Sequence, residues 1–195
     1  MRAIIDAAAR ILPRRGYVNT TTNEIASRAG VSIGSLYEYF RDKDAIVRAL
    51  LERHLDEGEA IFEERAAAVA PIAPGMPLEE LIRLYVKAVI DFHAKDPGLH
   101  QALAVEAPLS RAMVRRLDEF ERRIVDAVDL VLRVHPEAQT RSPRLAAQLC
   151  VQIVDGLANR WVVDEAGEPI GAEELTDEVT ALLFAYVAHV RRAPS

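Results

Sequence analysis

One cysteine, Cys150, leaves no internal disulfide to staple this 195-residue chain, so its stability has to come from a packed core. Aromatic residues are sparse at 6%, and Ala, Leu, Val, Glu and Arg dominate, a mix that favours helix over sheet. No stretch alternates at period two over a useful length, so no strand is predicted. No apolar run reaches the ~18 residues of a membrane span, and the N-terminus lacks the apolar core of a signal peptide. A cytoplasmic protein that does not enter a membrane is expected. Internal repeats and low-complexity tracts are absent. There is no Gly-rich phosphate loop, no zinc-protease helix and no nucleophile elbow. His93, Asp96 and His100 come near one another in sequence, but a Pro-Gly break separates them and no fourth ligand is suitably spaced. Cys150 lies in an apolar stripe and reads as a small core residue. Neither catalysis, nor a metal, nor a cofactor is expected.

What is present is half hydrophobic and long enough for one or two domains with a real core. The net charge of −6 argues against a nucleic-acid partner until it is divided. Residues 1–55 carry nine Lys or Arg against six Asp or Glu, a net of +3, and the rest carry fifteen against twenty-four, a net of −9. Only the amino-terminal segment is basic, and local charge matters more than the total for binding phosphate.

The organising stretch is residues 21–43, TTNEIASRAGVSIGSLYEYFRDK. Thr21 followed three residues later by Glu24 predicts a capping box at a helix start. Ile25, Ala26 and Ala29 give that helix a small apolar face, and Gly30 ends it. Ser32 caps a second helix over 33–40. At 100° per residue Ile33, Leu36, Tyr37 and Phe40 fall on one side, and Gly34, Ser35, Glu38 and Tyr39 on the other. Two turns with small or polar groups outward need bracing from behind and something in front. A helix-turn-helix uses such a pair by laying its second helix in the major groove of DNA.

Thr21, Thr22, Ile25, Ala26, Ala29, Gly30, Val31, Ser32, Gly34, Leu36, Tyr37, Tyr39, Phe40 and Lys43 together resemble the DNA-binding signature of the TetR-type bacterial transcriptional regulators. The resemblance implies an all-α fold, with an N-terminal helix-turn-helix domain followed by a helical ligand-binding and dimerisation domain, about nine helices in total. It places Ser35 and Tyr39 at base edges or sugars, Gly34 at a close backbone approach and Ile33 near a thymine methyl. Thr21, Thr22, Tyr37 and Lys43 stand where the family meets phosphates, contacts that position without reading sequence. The ring of Tyr37 is expected in the small core, its hydroxyl alone reaching out. Glu38 is a departure: a carboxylate facing the groove accepts from a cytosine amino group, or else points to solvent or pairs with Arg41 or Arg28. Pro13 is a second departure, read as a bend or early end of a first helix over 2–15 that Gly16 terminates.

Further helices are predicted at about 43–69, 78–95, 97–106, 109–134, 143–164 and 173–192. PIAPGMP at 71–77, DPG at 96–98, Ala-Pro at 107–108, HPEAQTRSP at 135–143 and AGEPIG at 166–171 are the breaks between them. Asp42 is the expected cap of the long helix, with Ile46, Leu50, Ile61 and Phe62 inward. The division expected is residues 1–45 for DNA binding and 46–195 for ligand binding and dimerisation. The last two helices are apolar over more than one face, and the final one nearly all round, which calls for burial on every side. A second copy supplies that through a two-fold four-helix interface using Leu149, Ile153, Leu157, Val179, Leu182, Leu183, Tyr186 and Val190.

A homodimer brings two heads to a near-palindromic operator in double-stranded DNA. The family resemblance adds a small-molecule effector that lowers operator affinity. Candidate contacts, with polar or soft tips on apolar faces, are Tyr85, Phe92, His93, His100, Gln101, Met113, Phe120, Gln152 and Trp161. Two other classes stand beside this reading: a helical enzyme, which lacks a catalytic constellation, and a dimeric ligand-binding protein without specific DNA binding.

Overall fold

The computed structural model describes residues 1–106, 109–163 and 170–188, the side chains of 104–106 and 162–163 excepted. Among these residues there are nine α-helices and no strand: α1 (Arg2–Asn19), α2 (Thr22–Ala29), α3 (Ile33–Tyr39), α4 (Lys43–Val69), α5 (Leu78–Ala94), α6 (Pro97–Glu106), α7 (Arg111–Val134), α8 (Pro143–Val163) and α9 (Ala172–Ala188). A 3-10 turn, Ala73–Gly75, lies in the Pro/Gly-rich break between α4 and α5. The helical class, the count and most boundaries agree with the spacing of apolar residues and breaks. Residues 189–192 of the last expected helix lie outside the described residues.

The chain forms two compact units. The first joins Met1–Gly58 to Asp96–Arg116. In it Ile4, Ala8, Ile11 and Leu12 of α1 are buried as the 3.6-residue period requires. Pro13 lacks one helical N–H yet does not end α1. The backbone leaves helical geometry three residues later, at Gly16 (φ 69°, ψ 170°), and the kinked segment then runs on to Asn19. Inside this unit α1 lies against both α2 and α6. The Asp-Pro-Gly stretch is therefore not only a break. Asp96 accepts from the Leu99 amide at 3.1 Å, Pro97 opens α6, and Gly98 is its second residue. A side chain at Gly98 would put its Cβ 2.8 Å from Pro13 Cβ, so the missing carbon is what lets α6 approach α1. Arg53 pairs with Asp6, Arg116 with Asp56, and His54 Nε2 lies 3.2 Å from His100 Nδ1.

The second unit joins Glu59–Lys95 to Leu117–Ser195. Its core is built from Leu78, Val86, Ile90, Val125, Leu132, Ala146, Ala147, Cys150, Val151, Val154, Ala158, Val179, Leu183 and Val187. Within it α5 is the common neighbour, packed on α8 and most extensively on α9. Arg83 bridges Glu173 and Asp177, and Lys87 lies between Asp91 and Glu173. Lys87–Asp91 lies within α5, the other three pairs cross from α5 to α9, and all are exposed enough to add little stability. Burial in the core pushes the Cys150 thiol up to about 11, which makes it a poor nucleophile at neutral pH.

One expectation about the last helices is corrected here. Val179 and Leu183, 4% and 1% exposed, are consumed by this core, because that side of α9 lies on α5. They are not free for a partner. The opposite side of α9 keeps Leu182 55% exposed, so α9 is not buried all round within one chain. On α8 the residues Leu145, Leu149 and Leu157 are exposed as well, four and eight residues apart, with Ile153 half-buried between them. Tyr186 is half-buried against the core, and Val190 lies outside the described residues.

Candidate nucleic-acid interface

Local chemistry sets the geometry of α2 and α3. Thr21 Oγ1 accepts from the Glu24 amide at 3.2 Å, which satisfies one free donor of the first turn. The reciprocal half of the box is not made, because the Glu24 carboxylate turns to Arg15 at 3.1 Å. Gly30 takes the left-handed conformation (φ 69°, ψ 30°) that stops α2, and its amide returns to the carbonyls of Ala26 and Ser27. Ser32 then caps α3, accepting from the Ser35 amide at 3.0 Å. Its own hydroxyl donates to Ser35 Oγ, also at 3.0 Å. Leu36 at 0% and Phe40 at 6% exposure anchor α3 from behind, beside Ile25 and Ala26 of α2. Truncating Leu36 to Ala would cost about 2–5 kcal/mol.

α3 has only seven residues, and α2 is the helix it chiefly meets. That explains a correction. Ile33 and Tyr37, expected on the buried side, are 38% and 51% exposed, because the support behind α3 covers Leu36 and leaves the flank bare. Tyr37 presents its ring as well as its hydroxyl, which lies 3.1 Å from Thr22 Oγ1. Two hydroxyls from different helices are thereby paired at one edge of the unit. Gly34, Glu38 and Tyr39 are exposed and Ser35 is half-exposed, so the outward face runs as the helical period predicts. A Cβ at Gly34 would meet nothing closer than Ser32 Oγ at 3.7 Å within the chain.

Lys43 departs from the free phosphate-seeking amine expected of it. Its Nζ donates to the Tyr17 carbonyl at 2.6 Å and lies 4.1 Å from the centre of the Tyr17 ring. The Tyr17 hydroxyl in turn donates to Asp44, and that bond, with burial, pushes the phenol up to about 12. Asp42 caps α4 through the Ala45 amide at 2.7 Å, and this bond holds its carboxyl below the usual range. The start of α4 is thus tied to the end of α1 by Tyr17, Lys43 and Asp44. Sequence reasoning missed Tyr17, whose partners lie 26 and 27 residues away.

The nine effector candidates divide between the two units. Tyr85, Phe92, His93, Phe120, Gln152 and Trp161 belong to the second, and His100, Gln101 and Met113 to the first. In the second unit His93 is 4% exposed, with Nδ1 2.8 Å from the Val89 carbonyl and Nε2 3.8 Å from Asp155 Oδ1. Because a carbonyl only accepts, Nδ1 carries the proton. Burial, and then the charge of Asp155, push the Tyr85 hydroxyl upward. Trp161 donates to the Ile170 carbonyl at 2.8 Å and packs on the core, and Phe120 meets Phe62 edge-on at 5.8 Å. Gln152 is exposed.

Comparison with known proteins agrees with this layout. Residues 4–50 match the family model described as bacterial regulatory proteins, tetR family. Residues 77–186 match that described as tetracyclin repressor-like, C-terminal domain. An HTH-type transcriptional regulator of Bacillus subtilis, itself uncharacterised, is 40% identical over 63 residues, 32% of this chain and 33% of that protein. The fatty acid metabolism regulator protein of Bacillus subtilis is 24% identical over 171 residues, 83% of each chain. Among solved structures, the transcriptional regulator FadR of Bacillus subtilis in complex with stearoyl-CoA superposes with a TM-score of 0.66 at 23% identity. That superposition covers 95% of this chain and 98% of that one, and carries the fold alone.

Proposed function

The chain belongs to the tetR family of bacterial regulatory proteins and is a DNA-binding transcriptional regulator, and we propose that it is a repressor: a homodimer seated on a near-palindromic operator and released by a small-molecule effector. The observation that carries this is the outward face of α3, where Gly34, Ser35, Glu38 and Tyr39 stand clear of a helix pinned by Leu36 and Phe40. On this reading residues 1–45 are the DNA-binding domain and residues 46–195 the ligand-binding and dimerisation domain.

Ser35 and Tyr39 meet base edges or sugars, Gly34 admits the backbone to the groove, and Ile33 packs on a thymine methyl. Thr21 and the Thr22–Tyr37 hydroxyl pair meet phosphates. Lys43 has three donors and spends its shortest bond on Tyr17, so what remains for a phosphate is a secondary contact. Leu149, Ile153, Leu157, Leu182 and Tyr186 form the face that a second copy covers. As a regulator it works in the cytoplasm, beside the chromosome, and runs no reaction.

A salt titration of binding to duplex DNA tests the reading. Six to ten phosphate contacts cost about 10³–10⁵ in affinity between 50 and 200 mM salt. The absence of any binding to a duplex at low salt overturns it in favour of a dimeric ligand-binding protein. Effector action is tested with stearoyl-CoA, the compound bound in the Bacillus subtilis structure, added to a preformed complex. An effector that releases DNA must itself bind more weakly to the DNA-bound protein, by the same factor.

A further inference from the structure

We propose that Glu38 reads the 4-amino group of a cytosine, so that each operator half-site requires a C·G pair at one fixed position. The inference rests on the DNA-binding reading above. Glu38 stands exposed on the outward face of α3, one turn beyond Ser35 and next to Tyr39. Neither arginine that could neutralise it does so, since among the described residues no ion pair joins Glu38 to Arg28 or Arg41. Arg41 is instead held by Asp42, Nε to Oδ2 at 2.8 Å. A bare carboxylate thus points where phosphates crowd both rims of the groove, an arrangement that costs affinity unless a base donates to it.

Only two base groups in the major groove donate, N4 of cytosine and N6 of adenine. The adenine amino group sits beside N7, whose lone pair repels a second carboxylate oxygen. An amide side chain therefore suits adenine, and a carboxylate suits cytosine. The neighbouring hydroxyl sharpens the assignment. Ser35 Oγ accepts from Ser32, while Ser32 accepts from the Ser35 amide, which leaves the Ser35 proton free to turn outward. The face therefore offers a donor at 35 and acceptors at 38. A C·G pair carries the complement of that pattern, an amino donor on cytosine and the O6 and N7 acceptors on guanine.

The test is selection from a randomised duplex library by the full chain, followed by competition binding on the enriched sequence, for the wild type and for Glu38→Ala and Glu38→Gln. Removing the carboxylate also lifts its repulsion of phosphate on every duplex, whatever the sequence, so the readout is the ratio between bases at each position rather than affinity alone. The wild type is expected to fix one cytosine per half-site, with a loss of about tenfold or more on replacing it. Glu38→Ala flattens that position and leaves the others intact, which also shows that the variant is folded. Glu38→Gln moves the preference to adenine. A selected operator whose cytosine preferences are unchanged in Glu38→Ala overturns the proposal while the regulator reading stands. A wild type that enriches no sequence and shows no salt-dependent duplex binding overturns that reading instead.

Discussion

Gly98→Ala tests whether the first unit is held by the fit of α6 against α1. The added Cβ would lie 2.8 Å from Pro13 Cβ and 3.3 Å from both its Cα and its carbonyl oxygen. Carbon atoms settle at about 3.5–4.0 Å, so the nearest contact is too short by about 0.7 Å or more. Nor can it be relieved by turning a flexible side chain, since all three atoms belong to a proline ring or its backbone. Overpacking of this kind costs about 1–3 kcal/mol. Replacing glycine in a helix returns at most about 1 kcal/mol, and less in the first turn, where Gly98 sits. The net is a loss of about 1–2 kcal/mol, and for a chain of this length the melting temperature falls by about 2–8 °C. The assay is thermal unfolding of the full chain, repeated in a Pro13→Gly background that removes the nearest atom. In that background Gly98→Ala should cost measurably less, since the two sites share a contact. A melting temperature that Gly98→Ala leaves unchanged or raises, or an equal cost in both backgrounds, refutes the close approach as a structural requirement.

Four further outcomes follow from the same geometry. Ser32→Ala removes the cap of α3 and the hydroxyl that donates to Ser35 Oγ, and should cost about 0.5–2 kcal/mol by urea unfolding, with weaker operator binding in a gel-shift titration. Tyr17→Phe tests a linkage: the Tyr17 phenol is raised from 10.0 to about 12 in the folded chain, so its contribution is complete below pH 10 and is lost as pH rises towards 12. The wild type should therefore lose stability across that window by more than Tyr17→Phe does, and parallel curves would remove the Tyr17–Asp44 bond from the account. Leu157→Glu places a charge on an exposed apolar stripe and should shift sedimentation towards the monomer without lowering helicity by circular dichroism. An unaltered dimer would place the partner elsewhere. Cys150, buried and raised to about 11, should react with a disulfide reagent only on the timescale of unfolding, and stoichiometric labelling within seconds would contradict its place in the core.

Which of these features could be read in advance depended on how far their cause lay along the chain. The turn at Gly30 and the caps at Thr21, Ser32 and Asp42 involve partners three to five residues away, so the residue types carried the signal. The buried faces of α1 and α2, and Ile46 and Leu50 near the start of α4, followed from a period that any amphipathic helix must show, whereas Ile61 and Phe62, also expected inward, are only half-buried. A helical wheel gives direction but not how far the neighbour extends, and for that reason it puts Ile33 and Tyr37 towards a core that stops short of them. Lys43 looked like a free cation because its carbonyl partner lies 26 residues upstream. In sequence Asp-Pro-Gly at 96–98 looks like punctuation alone, although each residue also serves α6: Asp96 as cap, Pro97 as first residue and Gly98 as clearance for Pro13. The apolar circumference of α9 was visible, but its division between α5 and an outer face was not, because Val179 and Leu182 are equally hydrophobic in sequence.

That division bears on recognition itself. On the proposed reading one α3 offers Ser35, Glu38 and Tyr39 to base edges, and each well-placed base contact is worth about 1–3 kcal/mol. Operator selectivity over random DNA commonly amounts to about 4–10 kcal/mol, and three contacts of average strength, about 6 kcal/mol together, reach only the middle of that range. A second copy doubles the number of readable base pairs without lengthening the helix. The leucines left bare on α8 and α9 are then part of the recognition apparatus although none of them approaches DNA. Weakening their interface should reduce full-operator affinity far more than half-site affinity. A mutation at Glu38 should instead scale both in proportion to the number of half-sites engaged.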